Sequence, residues 1–118
     1  MNTLQLERAL GTLGAYETLR WAEDLFEHRD YYAAARVLQH LVDTHDTPSE
    51  LGAAKELLAR SYYHSAQLGR AIETAEHLLE ERPDDAYVAL LLARSYERAS
   101  RPEAAAAMRR ARALGAQW

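Results

Sequence analysis

The hexapeptide Leu57-Leu58-Ala59-Arg60-Ser61-Tyr62 recurs unchanged as Leu91-Leu92-Ala93-Arg94-Ser95-Tyr96, 34 residues further along a chain of 118. An identical match at that spacing is the signature of a stacked-repeat architecture, in which each unit buries its apolar face only against its neighbours. The chain is long enough for one domain or a small array, and the repetition selects the array. Composition agrees. The chain holds 23 alanines, 18 leucines and 13 arginines against one lysine, and Ala, Leu and Arg are strong helix formers. No stretch alternates with period two, so strands are not expected. The preference for arginine over lysine is the bias of a GC-rich coding sequence, as in many bacteria.

Other classes are excluded by what is missing. There is no cysteine, hence no disulfide, cysteine-ligated zinc, iron–sulfur cluster or thiol nucleophile. Apolar residues at 48% and charged residues at 27% describe a folded chain rather than a disordered one. The longest apolar run, Ala86 to Ala93, is eight residues, too short to span a bilayer. Glu7 and Arg8 fall where a signal peptide needs an unbroken apolar core, so a cytoplasmic protein is expected. A net charge of −4 argues against nucleic acid as the main partner.

Helical periodicity and end signals predict six helices over 15–28, 31–44, 48–65, 68–81, 85–99 and 102–114. Thr47-Pro48-Ser49-Glu50 reads as an N-cap, a proline at the first helical position and a capping-box glutamate. Ser100-Arg101-Pro102-Glu103 has the same cap-to-glutamate spacing. Pro83-Asp84-Asp85 ends one helix and caps the next.

With these residues in place, the chain resembles the tetratricopeptide repeat family, whose unit is a 34-residue antiparallel helix pair. Leu58, Ala59 and Tyr62 fall at the family's Leu, small-residue and Tyr positions, Ala71 at the small position of the second helix, and Pro83 at the closing proline. Leu92, Ala93 and Tyr96 repeat the pattern, with Ala104 or Ala105 at the small position. In the first unit Trp21, Ala22 and Leu25 replace Leu, small and Tyr, and Ala33 or Ala34 follows the turn. Three extra residues before Gly52 read as an added turn on the helix beginning at 48. The resemblance implies an all-α fold, a right-handed superhelical stack of antiparallel helix pairs (an α-solenoid) with units at 15–51, 52–85 and 86–114. Residues 1–14 form an N-terminal segment and 115–118 a tail. Leu6, Leu10 and Leu13 share a helical face, with which that segment would cap the stack or fold over its groove. The uncovered face of the last helix is expected to be Ala104, Ala107, Met108 and Ala111.

The family binds peptides in the groove lined by the first helix of each pair. Carrying over its second, fifth, ninth and twelfth repeat positions gives Tyr16, Leu19, Glu23 and Phe26 in the first unit. The second unit gives Ala53, Glu56, Arg60 and Tyr63, and the third Tyr87, Leu90, Arg94 and Glu97. Spacings of 3, 4 and 3 put each set on one helical face. Arg60 and Arg94 suit a carboxylate, so an acidic peptide is one expectation, with the aromatic residues as apolar anchors. The competing expectation is self-pairing, Glu56 with Arg60 and Arg94 with Glu97. Chaperone-binding members clamp a C-terminal carboxylate with Lys, Asn and Arg. Here those positions hold Leu19, Glu23, Leu57, Tyr87 and Leu91, so that activity is not implied.

The remaining polar residues carry weaker signals. The five histidines, His28, His40, His45, His64 and His77, lack metal-ligand spacing beyond Glu73/His77/Glu81 on one helix, and no metal or cofactor is expected. No nucleophile elbow, phosphate-binding glycine loop or paired carboxylate site occurs, so no enzyme is expected. Arg98, Arg101, Arg109, Arg110 and Arg112 against Glu103 make the C-terminal end basic, while residues 1–59 carry ten acids and five bases. The expected role is a non-catalytic protein–protein interaction module. The alternative is a structural subunit that self-associates or docks in a larger complex through its uncapped ends.

Overall fold

A computed structural model describes residues 3–11, 13–44 and 48–117. Within them the chain forms seven sequential, packed helices: α1 Thr3–Leu10, α2 Ala15–Glu27, α3 Tyr31–Thr44, α4 Pro48–His64, α5 Leu68–Glu81, α6 Ala86–Arg98 and α7 Ala104–Ala113. From α2 onward each helix packs on the next, while α4 also contacts both α2 and α6, and α1 packs on α3. No helix among the described residues is long and apolar enough to cross a membrane.

The helix ends explain the hairpins. At the end of α2 the Arg29 N–H reaches the Phe26 carbonyl and the Asp30 N–H reaches the Leu25 carbonyl. The same two bonds close α4, Ala66 to Tyr63 and Gln67 to Tyr62, and close α6, Ser100 to Glu97 and Arg101 to Tyr96. This is the Schellman arrangement, which satisfies the orphan carbonyls of a helix end and requires a left-handed residue. Arg29, Ala66 and Ser100 take that conformation at φ 62°, 61° and 54°. A glycine holds the equivalent place only after α7, where Gly115 has φ 92°.

These turns correct one expected cap. Ser100 closes α6 instead of opening α7; the Ala104 N–H bonds the Arg101 carbonyl at 3.2 Å, and α7 begins two residues later than expected. Asp85 does cap α6, accepting from the Val88 N–H at 3.1 Å. Thr47 lies outside the described residues, and α4 begins at Pro48. At 17 residues α4 is the longest of the described helices, where the three extra residues fall.

Two apolar clusters fill the interior. One joins Leu6 and Leu10 of α1 to Leu38 and Leu41 of α3, Leu58 and Tyr62 of α4, and Ala71 of α5. The other joins Ile72, Leu78 and Leu79 of α5 to Val88, Leu92 and Tyr96 of α6 and Met108 of α7. Alanines 22, 34, 54, 59, 71, 75, 93 and 111 are fully buried, which lets helix backbones approach closely where they cross. The expected uncovered face of α7 is corrected: Met108 and Ala111 are buried, and Ala104 and Ala107 pack on the second cluster. Those four alternate at i, i+3, i+4 and i+7, the spacing of a core-facing stripe. The exposed residues of α7 are Ala105, Ala106, Arg109, Arg110, Arg112 and Ala113.

The repeated hexapeptide repeats its bonds. Ser61 Oγ donates to the Leu57 carbonyl at 2.8 Å and Ser95 Oγ to the Leu91 carbonyl at 2.7 Å. Both serines are fully buried packing residues whose hydroxyls are satisfied within their own helix.

Candidate functional site

Residues from α2 and α4 enclose a cleft of ≈ 510 Å³ lined by Leu19, Glu23, Phe26, Glu27, Ala53, Glu56, Leu57 and Arg60. Six of these are among the residues placed on the groove by sequence. Leu19, Phe26 and Leu57 are half-buried and give the cleft apolar walls. Glu23 and Glu27 are exposed, and neither makes an ion pair among the described residues.

The arginines are held more closely than a free ligand-binding pair would be. Arg60 lies over the Phe26 ring, its guanidinium carbon 4.7 Å from the ring centre, and its buried Nε has no hydrogen-bond partner. Such a contact fixes the cation by its attraction to the negative ring face. Arg94 pairs with Glu97 at 2.8 Å, one of the two self-pairings expected. The other is corrected. Glu56 faces Arg82 of the α5–α6 connection at 3.3 Å, and Arg82 also reaches Asp85 at 3.5 Å. The guanidinium sits where a side chain on Gly52 would stand, 2.5 Å from that position, so the small residue admits it.

Next to the cleft the aromatic residues form a connected patch. Phe26 meets Tyr31 edge-on at 5.0 Å, Tyr31 stacks on His64 at 4.8 Å, and His64 meets Tyr63 edge-on at 5.4 Å. Arg98 of α6 lies 4.6 Å from the Tyr63 ring centre and donates to the Tyr63 carbonyl at 2.7 Å, tying α6 to α4. Partial burial, and then the positive charges of Arg60 and Arg98, push the His64 imidazole below its ordinary range. Tyr87 stands near Arg60 and Glu56; partial burial pushes its phenol up, which Arg60 opposes and Glu56 reinforces.

The other expected groove residues scatter. Tyr16 is 64% exposed at the start of α2, with Arg20 donating to its hydroxyl at 3.3 Å. Leu90 is not on the groove at all: it is buried in the second apolar cluster. Because α6 packs against both α5 and α7, its apolar face is wider than that of α2. Sequence transfer missed Glu27, His64 and Arg98, which are repeat-equivalent and lie four residues beyond the ninth position, one turn further on the same face. Leu57, which stands at one of the family's clamp positions but outside the four transferred groove positions, also walls the cleft.

A larger hollow of ≈ 700 Å³ lies between α3, α4 and α5, lined by residues including Gln39, Asp43, Lys55, Tyr62, Arg70 and His77. Several of its polar groups bond one another or a neighbour: Tyr62 to Gln39 at 2.8 Å, Gln39 to Asp43 at 2.8 Å, Lys55 to Glu81 at 2.7 Å. The smaller cleft keeps Glu23 and Glu27 out of ion pairs among the described residues and sets them beside apolar walls, and is the better candidate. No group of three metal-binding side chains converges among the described residues. No family model, curated protein or solved structure matches the chain.

Proposed function

We propose that the chain is a cytoplasmic, non-catalytic interaction module of three tetratricopeptide-like units, and that the α2–α4–α6 face binds a peptide or helix of a partner protein. One observation carries the reading: a cleft between α2 and α4 sets apolar walls beside two exposed carboxylates, Glu23 and Glu27, that make no ion pair among the described residues. Preformed grooves with this combination suit helix-in-groove recognition, where apolar anchors supply affinity and flanking charges set register. Three Schellman turns at repeat-equivalent positions and matched serine bonds in the hexapeptide support the repeat reading.

Phe26, Tyr63 and Tyr87 are the anchors, because an aromatic side chain presents large contact area at small entropic cost. Arg60, held over Phe26, and Arg94, paired with Glu97, flank these anchors and set the register of the ligand. The test is affinity capture from lysate with the wild-type chain and an Arg60→Glu/Arg94→Glu variant of matched helical circular dichroism. A partner lost only by the variant supports the groove; one retained by both places the site elsewhere.

A further inference from the structure

We infer that the α2–α4 cleft is also a docking site for a second copy of this chain, which offers the arginine face of its α7. The cleft side is acidic. Glu23 and Glu27 stand about 6 Å apart along α2, exposed and without ion pairs among the described residues, while Glu56, which lines the same cleft, is already paired with Arg82. The single cation of the cleft, Arg60, is held over Phe26.

The α7 side is complementary. Its inner stripe is occupied by the second cluster, so its outer face is what another molecule meets. That face interleaves Ala105, Ala106 and Ala113 with Arg109, Arg110 and Arg112. Small residues let the helix backbone come close to a groove while long guanidinium arms reach its rim. Arg109 and Arg112 lie one turn apart, about 4.5 Å along the axis, and make no ion pair among the described residues. Arg110 only donates to the Pro83 carbonyl at 3.3 Å. The complementarity extends over the chain: residues 1–59 carry ten acids and five bases, and residues 98–112 five bases and one acid.

Cleft and α7 are different surfaces, so the contact is head-to-tail and builds either a closed ring or an open chain with a free cleft and a free α7 at its ends. The assembly grows with concentration and weakens with salt, because exposed charges are screened beyond a Debye length. Self-docking occupies the cleft proposed above for a partner, but does not depend on any partner binding there.

Light scattering on the full chain decides this. At about 0.02 M salt the mass should rise above 13.4 kDa with concentration and return to it near about 0.5 M. Glu23→Arg/Glu27→Arg and Arg109→Glu/Arg112→Glu should each weaken self-association about tenfold or more. An equimolar mixture of the two should associate again, since the intact α7 of the first meets the intact cleft of the second. All four positions are exposed, and matched circular dichroism checks the fold of each variant. A constant 13.4 kDa mass, an assembly indifferent to salt, or a mixture that stays monomeric overturns the proposal. None of these outcomes touches partner binding, which the affinity capture reads separately.

Discussion

The Tyr96 hydroxyl donates to a Glu76 carboxylate oxygen at 2.7 Å, joining α6 to α5. Its repeat equivalent, Tyr62, donates to Gln39 at 2.8 Å and joins α4 to α3. The tyrosines are 34 residues apart and their acceptors 37, the difference being the three extra residues that lengthen α4. Burial, reinforced by the bond to Glu76, pushes the Tyr96 phenol up to about 12 from 10.0. An unfolded tyrosine ionises first as pH rises, so this contribution to stability is intact below about 10 and is lost between about 10 and about 12. Tyr96→Phe should cost about 1 kcal/mol near neutrality, since the exposed Glu76 regains water. It should also flatten the loss of stability above about pH 10. Urea unfolding of both proteins across that range measures the difference.

His64 titrates in the opposite sense. Its imidazole is held below its ordinary value by partial burial and by Arg60 and Arg98, and no carboxylate enters among the causes. The folded chain therefore binds this proton less readily than the unfolded chain. The stability is complete above about pH 6.5 and falls as pH drops from there toward the lowered folded value. His64→Phe keeps a ring against Tyr31 and removes the charge. Its unfolding midpoint should fall less steeply than wild type between pH 7 and pH 5; parallel curves would show that other groups govern acid stability.

Ala66 holds a left-handed conformation at φ 61° in the α4–α5 turn. A residue with a Cβ pays about 1–2 kcal/mol there, against a smaller entropic penalty for glycine in the unfolded chain. Ala66→Gly should raise stability by about 0.5–1 kcal/mol, and Ala66→Val should lower it by more. A shift in urea midpoint with unchanged slope is the expected signature. Arg29→Gly should act in the same direction, because Arg29 closes α2 with the same pair of bonds.

The sequence was most readable where a local signal acts alone. α3 and α5 match their expected ranges at both ends, and α2, α4 and α6 fall within one residue. The α6–α7 junction departs from its expected place because Ser100-Arg101-Pro102-Glu103 carries a helix-start pattern, while the chain there is still satisfying the carbonyls of α6. The cleft was partly readable, since 3-4-3 spacing assigns a face without naming the partner across it. Arg82 took Glu56 from Arg60 through a contact 26 residues away, which no helical spacing anticipates.

Identical hexapeptides in unlike surroundings give the last prediction. Leu58 is 2% exposed in the first cluster and Leu91 1% exposed in the interior, whereas Leu57, the sequence equivalent of Leu91, is only half-buried and walls the cleft. Leu58→Ala and Leu91→Ala should each cost about 2–5 kcal/mol, because the surrounding helices collapse only partly into the space left. Leu57→Ala removes less buried surface and leaves a cleft already open to water, so about 1 kcal/mol is expected. A domain of this size is stable by about 5–15 kcal/mol, so the core variants should lose a large share of their unfolding midpoint and the Leu57 variant little. Equal losses at Leu57 and Leu91 would mean that the wall of the cleft is closed in solution, and a partner could not then reach it.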